Sequence, residues 1–194
     1  MDYVLKYRLL PTGHQWEQLD WVRDTVRQVY NHGLHRFNRI PKSDGTVRQR
    51  VVQVRDELPA LKDWWTDLTD VYSTVLQQAV GQIETNIDNL GKLRNAGYNV
   101  GSLNWKAPDE YHSFMYRQRG FELDGKSGPT GRGMLTLKNV HGETIDVPIR
   151  LHCALPDDTD VKHVTIRKDK TGACYACLNV EQDTPDKPSP RRVS

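Results

Sequence analysis

Long hydrophobic runs are missing from this sequence. No apolar stretch reaches the ~18–20 residues that a membrane-spanning helix needs, and the N-terminus has no apolar core of the kind a signal peptide carries. A cytoplasmic protein with no membrane partner is the expectation. Cysteine is scarce, three in 194 residues, which excludes a disulfide framework. Cys174 and Cys177 have C-x-x-C spacing, but no second pair and no histidine pair accompanies them. They fall in Ala173–Val180, which reads as a strand, where residues three apart point to opposite faces. Packing is therefore expected of them rather than metal or redox chemistry. Charge of one sign is also lacking: the net charge is +2, too small by itself to indicate a polyanionic partner. No G-x-S-x-G, H-E-x-x-H or complete phosphate loop occurs. Gly125-Lys126-Ser127 lacks the upstream glycine spacing of such a loop, and residues 125–133 read as a hairpin loop. His32 and His35 stand one helical turn apart without cysteine or carboxylate companions to complete a metal site. No catalytic residue, metal or cofactor is expected in this chain.

What is present is periodicity. Residues 2–10 alternate around Tyr3, Leu5, Tyr7 and Leu9 as a strand does, and Pro11 ends it. Thr12, with Gln15 three residues on, forms a capping-box pattern. Leu19, Val22, Val26, Val29, Tyr30, Gly33, Leu34 and Phe37 then make one helical stripe, with Gly33 marking a close helix crossing. Val47, Val51, Val54 and Leu58 predict a second helix closed by Pro59, with Arg48, Arg50 and Arg55 elsewhere on its circumference. A third helix is predicted from Leu68 through Leu93, stopped by Gly97. After Gly97 short alternating runs are separated by turn residues: 111–118, 121–123, 134–138, 144–151, 161–168 and 173–181. They predict an antiparallel sheet curling into a barrel, with residues 2–10 as its first strand. The fold class is α+β. The expected organisation is residues 1–11 as the first barrel strand, 12–97 as an inserted three-helix unit, 98–182 as the rest of the barrel and 183–194 as a Pro-rich linker.

The charge distribution says more than its sum. Between Asn31 and Arg55 six basic residues face Asp44 alone, and between Asp56 and Leu90 seven acids face Lys62 alone. Such blocks suggest a basic working face beside an acidic solvated one. A second basic stretch, Lys106, Arg117, Arg119, Lys126, Arg132 and Lys138, is interleaved with Trp105, Tyr111, Phe114, Tyr116 and Phe121. Cations with aromatics on a curled sheet suit single-stranded nucleic acid; the same aromatics could equally fill the barrel.

Arg8-Leu9-Leu10-Pro11-Thr12 with Gln15, then Arg23, Tyr30-Asn31 and Leu34, resembles the opening of the TnpB (OrfB) family of prokaryotic insertion-sequence proteins. Ile83-Glu84, Asn104-Trp105-Lys106, Tyr111–Leu123, Ile145–Leu151 and Tyr175–Glu181 are similar to later family motifs in the same order, though the proline of the Phe-Pro-x-Phe-Lys stretch is missing. The resemblance spans residues 3–182. It implies a transposase-associated, RNA-guided DNA endonuclease with a helix-turn-helix, a wedge-type, oligonucleotide-binding-like barrel and an inserted helical recognition lobe. The implied partners are a guide RNA and double-stranded DNA. The family's RuvC-like nuclease, with its divalent metal ions and zinc ribbon, would follow the linker. The chain ends at Ser194, before those carboxylates, so the expectation is a truncated binding module that does not cut. By position Gln77 matches a recognition-helix residue and Tyr116 lies near another. Lys106, Arg117, Arg119, Arg48, Arg50 and Arg55 would contact backbone. A decayed fragment without activity, exposing an apolar barrel face, and a nuclease-free regulator are the alternatives.

Overall fold

The computed structural model describes residues 2–117, 119–126, 128, 130–153, 155 and 160–181. The expected linker at 183–194 lies outside them. Thr12 caps helix α1 (Gly13–Arg39) as its spacing requires: its hydroxyl accepts from the Gln15 amide at 3.2 Å, and the Gln15 side chain accepts from the Thr12 amide at 3.1 Å. Gln15 Nε2 also donates to the Asp146 carbonyl at 2.7 Å, so the cap ties the helix to the sheet. The whole expected stripe of α1, Leu19 to Phe37, is buried. At Gly33 an added Cβ would meet Ile83 at 3.3 Å and Val80 at 3.4 Å, so this glycine sits where α1 crosses α4 (Ser73–Asn95).

The helical region departs from the expected three helices. Helix α2 (Val47–Asp56) has its own Thr46–Gln49 reciprocal cap. Pro59 does not close it; it lies in the first turn of a short helix, α3 (Leu58–Leu61), a place where a missing N–H costs nothing. Leu68 is buried in a 3-10 turn, Thr66–Asp70, and Val71 is extended and bridges Val140. The Gly142 amide donates to the Asp70 carbonyl at 3.0 Å. These tertiary bonds take 68–72 out of the predicted helix. Beyond Ile83 the stripe outruns the core, and Leu93 is 43% exposed.

Seven strands follow the expected pattern: β1 (Asp2–Leu9), β2 (Ser113–Arg117), β3 (Phe121–Lys126), β4 (Arg132–Val140), β5 (Glu143–Arg150), β6 (Asp160–Lys168) and β7 (Cys174–Glu181). They form one antiparallel sheet in the order β2-β6-β7-β1-β5-β4-β3. The expected hairpin loop 125–133 is shorter than predicted, since β3 runs to Lys126 and β4 starts at Arg132. Gly125 and Gly133 pair in register, and a Cβ on Gly125 would collide with the Gly133 Cα. The ladder closes there only because both lack side chains. β2 and β3 are the two edges of the ladder, yet three residues join them. That connection reaches at most about 14 Å, so the sheet must curl until its edges approach. α1 through α4 lie in sequence between β1 and β2. Helical and inner-face sheet residues share one buried cluster.

Candidate nucleic-acid interface

The basic stretch of residues 36–55 divides once folded. Arg36 is spent on a two-point ion pair with Glu57, both bonds 2.8 Å, and this fastens α1 to the end of α2. Arg50 is buried, against the sequence expectation of a backbone contact. Its guanidinium lies 4.3 Å above the Phe37 ring and Nη1 donates to the Ile40 carbonyl at 3.3 Å. Spacing explains this: Val47, Arg50 and Val54 are three and four apart, so Arg50 occupies the apolar stripe itself. Arg48 and Arg55 stay exposed. Seven residues apart, they share one face of α2 about 10 Å from each other along the axis.

Gln77 is exposed on α4. It lines an open groove of about 680 Å³ with Arg55, Asp56, Pro59, Lys62 and Asp63, among others. Two residues chosen from separate sequence arguments, Arg55 and Gln77, thus meet in one groove. The Lys62 ammonium donates to Ser73 Oγ at 2.9 Å across it. Next along α4, Gln78 reaches β2: with its amide oxygen turned toward Arg117, Nε donates at 2.8 Å and Nη2 at 3.3 Å. Arg117 and Arg119 are both exposed, and Arg119 takes a left-handed backbone, φ 72°, in the β2–β3 connection.

Lys106 is half-buried and its backbone is clamped from α1. Asn31 Nδ2 donates to its carbonyl at 3.0 Å, Asn31 Oδ1 accepts from its amide at 2.8 Å, and Arg27 Nη1 donates to the same carbonyl at 3.0 Å. Arg23 Nη1 donates to the carbonyls of Pro108 and Tyr111 at 2.8 and 2.7 Å. Beside the clamped residue, Trp105 is 65% exposed. Tyr30 is buried and accepts from Asn86 of α4 at 3.1 Å. Arg23, Tyr30 and Asn31, three of the residues that carry the resemblance, therefore form a joint between α1, α4 and residues 105–111.

Tyr116 is 0% exposed, and its hydroxyl donates to the Lys138 carbonyl at 3.2 Å. Burial raises its pKa. Phe114 and Phe121 are buried with it, so of the two readings of these aromatics, filling the core is the one that holds for them. Tyr116, placed by the resemblance near a recognition residue, lies in the core instead. Cys174 and Cys177 occupy opposite faces of β7, one buried and one half-buried, and burial pushes the Cys174 thiol up to about 12. Among the described residues no cluster of three or more His, Cys, Asp or Glu is placed to hold a metal ion, and no helix is long and apolar enough to cross a membrane.

Arg8 belongs to the motif that carries the resemblance and Arg132 to a basic stretch, while Arg150 and Arg167 fall in neither basic stretch. They lie on four strands and align across the outer sheet face. Only strand register brings them together, and no local pattern signals it.

Residues 1–45 match the family model of a helix-turn-helix domain, that of OrfB proteins of IS605-type insertion sequences. The match covers β1, α1 and the turn that leads to α2. No curated protein matches the chain. A helix-turn-helix sets one helix into a DNA groove while the other crosses the backbone. Over residues 1–45, then, the chain is similar to the helix-turn-helix domain of the OrfB family.

Proposed function

We propose that this chain is the nucleic-acid-binding part of a TnpB-like, RNA-guided protein. Residues 12–97 act as a recognition lobe, residues 1–11 with 98–182 act as a wedge barrel, and the two hold duplex DNA and a guide RNA. The observation that carries this reading is the α2–α4 groove, where Arg55 and Gln77 converge beside the matched helix-turn-helix. Gln77 would pair its amide with adenine in the major groove. Arg48, Arg55, Arg117 and Arg119 would neutralise phosphates on either side, and Lys106 would do so from its clamped segment. Asp56 and Asp63 on the groove wall would repel phosphate and leave that part to base edges. Arg50 and Tyr116 have no part in it.

The test is binding to a randomised duplex library and to structured RNA across a salt series. Affinity should fall as salt rises. Gln77→Ala should cost about 1–3 kcal/mol on the selected DNA motif and little on other sequences. Arg55→Gln should weaken all duplexes alike and lower the salt slope by about one. Absence of duplex binding at low salt, or affinity indifferent to salt, would overturn the reading.

A further inference from the structure

Strand register assembles a line of cations on the outer face of the sheet. Arg132 of β4 lies opposite Arg150 of β5, and Arg150 opposite Arg8 of β1. Arg8 in turn lies opposite Tyr175 of β7, and Tyr175 opposite Arg167 of β6. Directly opposed residues share a face. At about 4.8 Å per strand the row crosses five strands over about 19 Å. All the arginines of the row are exposed, whereas their strand neighbours Leu9, Ile149, Ile166, Cys174 and Ala176 are buried in the core. Lys6 adds a charge, its ammonium 4.0 Å above the half-buried Tyr175 ring. Two open hollows flank the row. One of about 540 Å³ is lined by Arg132 and Arg150, the other of about 320 Å³ by Arg8, and Leu10, 52% exposed, lines both.

Like charges directly opposite one another destabilise a sheet. Among the described residues none of these arginines has a carboxylate partner to offset that. Packing does not require them either, because they point away from the core. The uncompensated cost marks a site built for something outside the fold.

We propose that this row is a track for the phosphodiester backbone of a single-stranded nucleic acid, crossing the strands at a site separate from the α2–α4 groove. The inner face of the curled sheet is buried, so the outer face is convex. A rigid duplex is convex too and would touch the row at one point. A flexible single strand can bend over it and place successive phosphates on successive guanidinium groups, with bases against Leu10 and the Tyr175 edge. Every residue of the track comes from the sheet or its edge, so this inference does not depend on the duplex reading.

Fluorescence anisotropy with labelled U15, dT15 and a blunt duplex tests it, comparing the full chain with R8Q/R150Q and with R55Q. R8Q/R150Q should weaken U15 and dT15 alike by at least tenfold at low salt. It should lower their salt slope by about 1.4, two contacts at about 0.7 each, while duplex affinity stays within twofold. R55Q should show the reverse pattern. Unchanged single-strand affinity in R8Q/R150Q, or a parallel loss on the duplex, would overturn the proposal. R132Q/R167Q repeats the test at the ends of the row, so the result does not hang on one variant's folding. If the unaltered chain binds single strands and no duplex, the groove reading fails and the track stands.

Discussion

Arg48 and Arg50 stand two positions apart on one helix and have different surroundings. Arg48 faces solvent, while Arg50, 8% exposed, covers the Phe37 ring and keeps its Nε buried without a partner. Arg50→Ala should therefore lower stability by about 1–3 kcal/mol, combining a cation–π contact with lost packing of the stem. Arg48→Ala should stay within about 0.5 kcal/mol and instead weaken nucleic-acid binding. Urea unfolding gives the first quantity and anisotropy on the folded protein the second. An Arg50→Ala protein that is as stable as its parent and binds poorly would reverse the assignment. The sequence does hold the signal, because Arg50 keeps helical spacing with Val47 and Val54. Polarity alone hides it: a guanidinium lying over a ring and one reaching into water are the same letter. Tyr116 was legible to a lesser degree. Alternation groups it with Phe114, but only the sheet shows which face of β2 is the inner one.

At the scale of elements, α1 was the most legible part of the chain. Its cap, its stripe and its glycine crossing all follow from residues within a few turns of each other, where i, i+3 and i+4 contacts write the pattern directly. Its role as a joint was not legible, because Asn31 meets Lys106 across 75 residues. That contact is testable. Asn31→Ala removes both bonds to the Lys106 backbone and should cost about 1–2 kcal/mol. It should also speed amide exchange across residues 103–111 while leaving the middle of α4 protected. Asn31→Asp keeps the acceptor and should restore part of the protection at the Lys106 amide. Exchange that is unaltered in Asn31→Ala would mean the segment is held by something else. Strand order has the same character. Each strand announces itself by alternation, but the placing of β1 between β7 and β5 is decided by which edges remain to be paired. The arginine row depends on that order, and so it was out of reach of any local reading.

At the scale of the whole molecule the question is whether helices and sheet fold as separate parts or together. One continuous buried cluster includes Val26 and Ile83 from the helices with Tyr7 and Leu137 from the sheet. Polar bonds reinforce the join. Asp20 on α1 takes a 3.0 Å ion pair from Arg23 and a 3.2 Å one from Lys168 on β6. A shared core makes partial unfolding expose apolar surface on both sides, so helix ellipticity and amide exchange in β6 and β7 should trace one coincident transition. Two separated transitions would show that the helical unit folds alone. Asp20 gives the pH dependence of the same join. Burial pulls its carboxyl upward, but hydrogen bonds from Arg23 and Lys168 outweigh that and hold it below its usual 3.8. A depressed folded-state pKa means the unfolded chain binds the proton more readily. The stabilisation is then fully present above the unfolded value and is lost as pH falls through the folded one. Comparing the parent with Asp20→Asn should therefore show a gap near neutral pH that closes as pH falls through the folded-state value. The carboxylate is 39% exposed, so solvent screening keeps that gap under about 1 kcal/mol. A gap of the same size on both sides of the folded-state value would mean that Asp20→Asn acts through packing and that the charge pair contributes nothing to the join.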